Sequence, residues 1–480
     1  MSAWNDRPRR LIDVDRILSA EECESIAHRV FAFARGDGET KIRLTSWWNG
    51  ELRWARNRVS LASDRRDLRL QIWRDVGVGR GNVETNQLDD ASLEAAVRGA
   101  ERSARLSPLV RRPPEIMPPF PAFAQPKTTI WADATYGATA ETRGEIARAM
   151  IAPAEKKGLL SAGYLEMRAG SLVARSSLRE AGTYAPWDVP YVQWTQAQCS
   201  MTVRDAKGAG SGWAGLSNFD WSKIDAGALA TRALEKCVAS QNPVALEPGR
   251  YTVILEPQAV ADLVEIIVES MNRDSAESGR GPWPLAQDEV LRLWRTKLGL
   301  KVIDERISIE HDPSDPALGI LPEPWMKPIT WFDHGVLSSL SFDREYALTM
   351  LNENNARRGM IGYRMTGGET STDEMIRTTV RGLLVTRFSN IRMLEDRSLL
   401  ATGLTRDGLW LIEHGKITKA VKNLRFTESP LFVLNSVDQL GVPVPVFRPV
   451  RSPYATELTP AIVPPLKSRD FSFTSMIDAI

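Results

Sequence analysis

Residues 249–270 read GRYTVILEPQAVADLVEIIVES, and the change of period inside this stretch decides the fold class. The segment from Gly249 to Leu255 is a short apolar strand that ends at Pro257, where a ladder hydrogen bond can no longer be donated. Val260, Leu263, Val264, Ile267 and Met271 then recur at helical spacing, so a helix follows the strand directly. Asp262, Glu265 and Glu269 lie three and four residues apart on the same helix and read as its solvated face. Acid/base work by these carboxylates would require burial or a bound cation.

Toward the C-terminus, Ile329–Leu337 reads as a hairpin turning at His334-Gly335. Ser371-Thr-Asp-Glu374 is a capping box, from which a helix is expected to run to Arg381. Residues 383–387, 408–413 and 416–421 read as strands, the last two joined at His414-Gly415, and Ser429–Val437 as a short helix before an irregular tail. Toward the N-terminus, a helix from Asp225 to Ala239 follows a turn at Gly208–Gly212, strands near 191–203 and 165–175, and a helix from Thr142 to Lys157. The prolines of residues 107–127 favour an extended connector. Before it, Ser19-Ala-Glu-Glu22 opens a first helix; strands at 41–46, 51–55 and 67–73, with turns at Asn49-Gly50 and Asp64, lead to a second helix from Asp90 to Arg105.

The expected fold is therefore α+β: an N-terminal α-β-β-β-α unit with antiparallel strands, a second α/β unit, and a larger C-terminal domain with a mixed sheet. The expected boundaries are 1–108, a connector at 109–128, 129–243 and 244–480.

With 61 Lys and Arg against 60 Asp and Glu, the chain has no basic excess to neutralise a phosphate backbone, so no nucleic-acid partner is expected. No apolar stretch approaches the length of a membrane span, and the first fifteen residues contain no signal-peptide core. Cys23, Cys199 and Cys237 are too few and too scattered for a disulfide framework, which points to a reducing cytoplasm. The fifteen tryptophans read mainly as core packing.

Familiar catalytic patterns are missing. The four histidines, His28, His311, His334 and His414, include no pair within one helical turn, so no helix-borne zinc site forms. There is no GxSxG, and Cys199 and Cys237 read as small buried apolar groups. Gly77-Val-Gly-Arg-Gly81 sits among antiparallel strands and reads as a turn rather than a dinucleotide loop. A dispersed metal site from His311, Asp312, Asp333 and His334 is the alternative to having none. Gly367, Gly368 and Ser371, a turn before a capped helix, are the candidates for a substrate groove.

Several segments together resemble the TldD/PmbA family of peptidases, also called modulators of DNA gyrase. They are Arg53-Trp-Ala-Arg-Asn-Arg-Val59 with Asn86-Gln-Leu-Asp-Asp90, Leu246–Pro257, Gly382-Leu-Leu-Val-Thr-Arg387, and Thr405–Ile417 continuing into Val421–Phe426. In active TldD-type members the helix after the strand ending at Leu255 carries an HExxxH zinc motif, whose histidines bind metal and whose glutamate acts as base. Here that helix reads Ala259-Val-Ala-Asp-Leu-Val-Glu-Ile-Ile-Val-Glu-Ser270, without histidine. The resemblance thus implies a TldE/PmbA-like subunit with no catalytic residue and no cofactor of its own. Zinc is expected in a TldD-like HExxxH partner, or else the chain forms a homo-oligomer. The implied substrate is a peptide or an unfolded protein, hydrolysed by the complex and not by this chain alone. The alternatives are a self-sufficient hydrolase using the dispersed site, and a peptide-binding scaffold without hydrolysis.

Overall fold

The computed structural model describes residues 17–477 except 78, 108–129, 179–187, 206, 208–209, 291, 322–325, 354, 358, 360 and 450–458. The proline-rich connector at 109–128 lies outside the described residues. The chain gathers into two compact units, one of Met1–Gly50, Ser63–Phe123 and Arg168–Thr195, the other of Glu51–Ala62, Ala124–Met167 and Gln196–Ile480.

In the first unit, helix α1 (Ala20–Phe33) opens on the expected box: the Glu22 N–H donates to Ser19 Oγ at 3.3 Å and the Ser19 N–H donates to the Glu22 carboxylate at 2.7 Å. Strands β1 (Thr40–Ala55), β2 (Arg58–Val76) and β3 (Gly79–Thr85) lead to α2 (Asp90–Leu106). Ile26 and Val30 of α1, Leu93 and Val97 of α2, and Ile42, Leu44, Leu70 and Ile72 of the strands form one core. The α-β-β-β-α order is as expected, but the strand bounds are not. β1 runs unbroken through Asn49-Gly50, because Thr45 to Gly50 are all buried and a chain covered on both faces has no place for a turn. The reversal comes at Arg56-Asn57, with φ of 52° and 62°, the two positive values that a two-residue hairpin turn requires. Asp64 lies inside β2, where its carboxylate accepts from Trp48 Nε1 at 2.6 Å. Residues 67–73 belong to the same strand, and the third strand is β3. Gly77 occupies the turn between them with φ 58°.

Next along the chain come α3 (Asp133–Tyr136) and α4 (Ala140–Lys156). β4 (Leu160–Ser176), β5 (Val189–Arg204) and β6 (Ser211–Asn218) extend the first sheet to the order β3-β2-β1-β4-β5-β6, and α5 (Ala226–Ala239) follows. α5 lies so close to β6 that a Cβ on Gly212 would stand 2.2 Å from the Ala233 carbonyl oxygen.

β7 (Gly249–Leu255) and α6 (Pro257–Ser270) form the strand-helix pair read from the sequence, and α7 (Arg273–Glu277) and the hairpin of β8 (Pro284–Gln287) and β9 (Trp294–Thr296) come next. Further on lie β10 (Ile309–His311), β11 (Ile329–Asp333), β12 (Val336–Leu337), α8 (Arg344–Tyr346), β13 (Tyr363–Met365) and α9 (Thr372–Arg377). β14 (Arg381–Glu395), β15 (Leu400–Glu413), β16 (Lys416–Ala420), β17 (Leu424–Glu428), α10 (Pro430–Asn435), β18 (Val437–Leu440), β19 (Val444–Pro445), β20 (Ala461–Val463) and β21 (Leu466–Met476) complete the chain.

Two further large sheets result. One has the order β12-β11-β10-β13-β20-β19. The other runs β14-β7-β21-β17-β15-β16, and β14 also pairs with β15, so its path closes on itself and leaves β16 at an edge. β7 and β14 are parallel and the remaining pairs of this sheet antiparallel, which is the mixed sheet expected. Its main core joins Val260, Leu263, Val264 and Ile267 of α6 to Leu383, Val385, Phe426 and Phe471 of the strands.

Two expectations need correction. The helix capped by Ser371 ends at Arg377, where the Thr378 and Thr379 hydroxyls return to the Glu374 and Met375 carbonyls and the chain enters β14. The tail is not irregular: β21 pairs with β7, β17 and β18, and two alternating phenylalanines, Phe471 and Phe473, point into the core.

Candidate functional site

Helix α6 starts at Pro257 and buries a wide arc from Ala259 to Ile267. Its polar residues fall in the gap that arc leaves, and they are not a solvated face. Asp262 accepts from the Phe388 N–H at 2.9 Å and from Gln258 Nε2 at 3.0 Å, while Gln258 Oε1 accepts from the Phe447 N–H at 3.1 Å. Glu265, one turn on, forms an ion pair with Arg448, whose side chain is nine-tenths buried. Arg448 also donates from Nε to the Thr459 carbonyl at 3.2 Å, and its backbone exchanges hydrogen bonds with Ser217 Oγ at 3.0 and 3.1 Å. Only Glu269 is exposed to water as the helical pattern predicted.

Beside this seam, Arg387 at the end of the apolar run of β14 donates from Nε to Asp407 Oδ2 at 2.8 Å and pairs with the same oxygen through Nη2. Asp407 is 1% exposed and its other oxygen accepts from Ser211 Oγ at 2.5 Å. The Arg387 guanidinium also lies 4.6 Å from the Trp213 ring centroid, and Trp213 meets Phe447 edge-on at 5.8 Å. Tyr363, 1% exposed, carries a hydroxyl with no hydrogen-bond partner among the described residues; burial raises its pKa.

Loss of water around Asp262 pushes its carboxyl up to about 6, against the opposing hydrogen bonds from Gln258 and Phe388 and the charges of Arg387 and Arg448. Because the folded value exceeds the unfolded one, the stability Asp262 contributes is fully present below the ordinary value of 3.8 and is lost as pH rises through about 6. Urea unfolding of the wild type and Asp262→Asn across this range should therefore show the wild type gaining on the variant as pH falls. A constant difference between the two proteins would rule this out.

The donor set does not fit a zinc ion. α6 has no histidine, the Asp262 oxygens already accept two N–H bonds, and a cation beside Glu265 would meet the Arg448 guanidinium. Among the described residues no three His, Cys, Asp or Glu are grouped to hold a metal.

His311 and His334 are not brought together. The antiparallel register sets His311 opposite Ile329 at one end of the β10–β11 pair, whereas His334 turns the hairpin beyond the other end. His311 is buried, with Nδ1 3.1 Å from the Gly362 carbonyl, and that burial lowers its pKa. The His334 side chain is exposed, 4.0 Å from the Asp333 carboxylate; the Asp312 carboxylate accepts from the Ser314 N–H and hydroxyl. Gly367 and Gly368 lie where a Cβ would come 2.4 and 2.5 Å from the carbonyls of Gly441 and Leu440, so close backbone approach fixes them, and Ser371 caps α9. None of these three lines the cleft of about 330 Å³ that opens over Leu384, Trp410 and Ala420, with the Lys236–Glu256 ion pair and Lys419 at its rim. The three thiols are buried; burial pushes Cys23 and Cys199 up to about 12 and Cys237 up to about 11, which removes the thiolate a nucleophile needs.

Sequence reading missed Ser211, Arg387, Asp407 and Arg448 as a group. A charged residue directly after the apolar run of β14 is the one local sign at Arg387; nothing local links it to Asp407 or Ser211.

Residues 248–458 match the family described as PmbA/TldA metallopeptidase C-terminal domain. No curated protein matches the chain. Along nearly its whole length the fold is similar to a putative modulator of a DNA gyrase from Thermotoga maritima (TM-score 0.75, 16% identity, covering 94% of this chain and 100% of that one). It is equally similar to a putative modulator of DNA gyrase from Bacteroides thetaiotaomicron (0.76, 17%, 95% and 100%). A third likeness is to TldE from Thermococcus kodakarensis (0.72, 16%, 94% and 100%).

Proposed function

Because this chain carries the PmbA/TldD C-terminal domain and shares the fold of that family's proteins, we propose that it is the TldE-type, non-catalytic subunit of a TldD/TldE-type zinc metallopeptidase complex. The supporting observation is α6. In TldD-type relatives this helix supplies two histidines and a glutamate; here its inward-facing polar positions are Gln258, Asp262 and Glu265, each already bonded to main-chain N–H groups or to Arg448. Carboxylates held this way join structural elements, and Asp262 already accepts at both oxygens. The zinc of such a complex belongs to an HExxxH partner, and this chain stabilises the partner and helps enclose a peptide or unfolded protein. Its three buried cysteines, none in a disulfide, suit a cytoplasmic setting.

The test is metal content and hydrolysis of an unfolded protein, measured on this chain alone and after mixing with the HExxxH-bearing chain of the same genome. Alone it should hold no zinc and release no peptides, and turnover in the mixture should exceed that of the partner by itself. Stoichiometric zinc with turnover by the isolated chain would overturn the reading.

A further inference from the structure

The outer edge of β2 carries a separate signal, independent of the reading just given. β3 joins β2 only from Leu70 to Val76, and β1 takes the opposite edge, so among the described residues no strand pairs with the outer edge of Arg58–Ala62. Every residue from Arg58 to Ala62 is exposed, which leaves both faces as well as the edge open to water. Val59 and Leu61, two residues apart and hence on one face, are 52% and 42% exposed.

This edge is also held in place. Asn57, in the turn, accepts from the Ser161 N–H at 2.6 Å and the Ser161 hydroxyl at 2.8 Å, and donates to the Leu159 carbonyl at 2.8 Å. A strand end fixed in this way presents its N–H and C=O groups at β spacing before any partner arrives, which lowers the ordering cost of pairing.

The charge is one-sided. Residues 53–62 read RWARNRVSLA, with no acidic residue; Arg53 is already paired with Glu51, and Arg56 and Arg58 are exposed. Folded proteins protect open edges with charge, and here that charge repels a second copy of the same edge while attracting an acidic strand. We propose that Arg58–Ala62 is a docking edge for an extended acidic segment of a partner protein. The segment adds as a further strand of the first sheet, covers Val59 and Leu61 with apolar side chains, and sets carboxylates against Arg56 and Arg58.

The probe is a labelled synthetic peptide that alternates glutamate with valine, titrated into the full chain and followed by fluorescence anisotropy. Two controls accompany it: the same peptide with proline at alternate positions, which cannot pair along an edge, and one with lysine in place of glutamate. The expected result is saturable binding of the acidic peptide, weakened by about tenfold or more in the Arg56→Glu/Arg58→Glu protein and lost with both control peptides. Both arginines are exposed, so unchanged thermal unfolding of the variant certifies its fold. No binding of the acidic peptide overturns the proposal. So does equal binding of the proline peptide, which would mean charge attraction without strand pairing, and so does self-association of the chain that the double variant abolishes, which would make a second copy the occupant.

Discussion

Arg387→Ala is expected to lower the free energy of unfolding by about 3–5 kcal/mol, the range for breaking a buried ion pair from one side. Asp407 is 1% exposed, so removal of the guanidinium leaves a carboxylate in a site water barely reaches. Its remaining contacts are the Ser211 hydroxyl and Arg406, whose Nε lies 3.8 Å away and whose side chain is about one-third exposed. The substitution also removes the cation over the Trp213 ring, a loss of packing as well as charge. Urea denaturation of Arg387→Ala, Asp407→Ala and the double variant gives the coupling directly: the double variant should be far less destabilised than the sum of the singles. Additive effects would mean that the two residues act independently.

Phe471→Ala should be comparably severe, at about 3–5 kcal/mol. The Phe471 ring stacks on Phe388 with centroids 5.6 Å apart, lies 5.6 Å from Phe426 and 5.0 Å from Phe473, and is fully buried. Truncation opens a cavity between β14, β17 and β21, where several rings lose contact at once. Met476 on the same strand, 39% exposed, is the comparison, and its alanine variant should change stability by less than about 0.5 kcal/mol. Thermal unfolding of both would decide whether the C-terminal strand is part of the core. Equal small effects would show it to be an appendage.

These two residues mark where sequence reading stopped. The tail's strand was missed although Phe471 and Phe473 alternate, because β21 is bulged between Ser468 and Phe471, with Asp470 at φ 56°, and the bulge breaks the period before it reaches the length of a recognisable strand. The Arg387–Asp407 pair was missed for another reason: the register of β14 on β15 sets Arg387 opposite Arg406, next to Asp407, and register belongs to the hairpin as a whole. Asn49-Gly50 shows the converse error. Its turn propensity is real, but burial on both faces of β1 outweighs it. Asp262 and Glu265 erred in the same direction, since helical spacing gives the angle between side chains and not what packs against them.

The sequence by itself determined what depends on neighbours along the chain. The capped starts of α1 and α9, the β7–α6 junction, the His334-Gly335 and His414-Gly415 turns, the α+β class and the absence of histidine from α6 all follow from residue types a few positions apart. Local hydrogen bonds, backbone sterics and hydrophobic period act over that range. Only the tertiary structure decided that β14 pairs with β15 to close a sheet that includes the C-terminal strand, that the inward-facing polar residues of α6 are held by Phe388, Phe447 and Arg448, and that His311 and His334 stand at opposite ends of the β10–β11 pair. Those outcomes depend on register and burial, which are set by contacts between residues tens to hundreds of positions apart, and no local pattern encodes them.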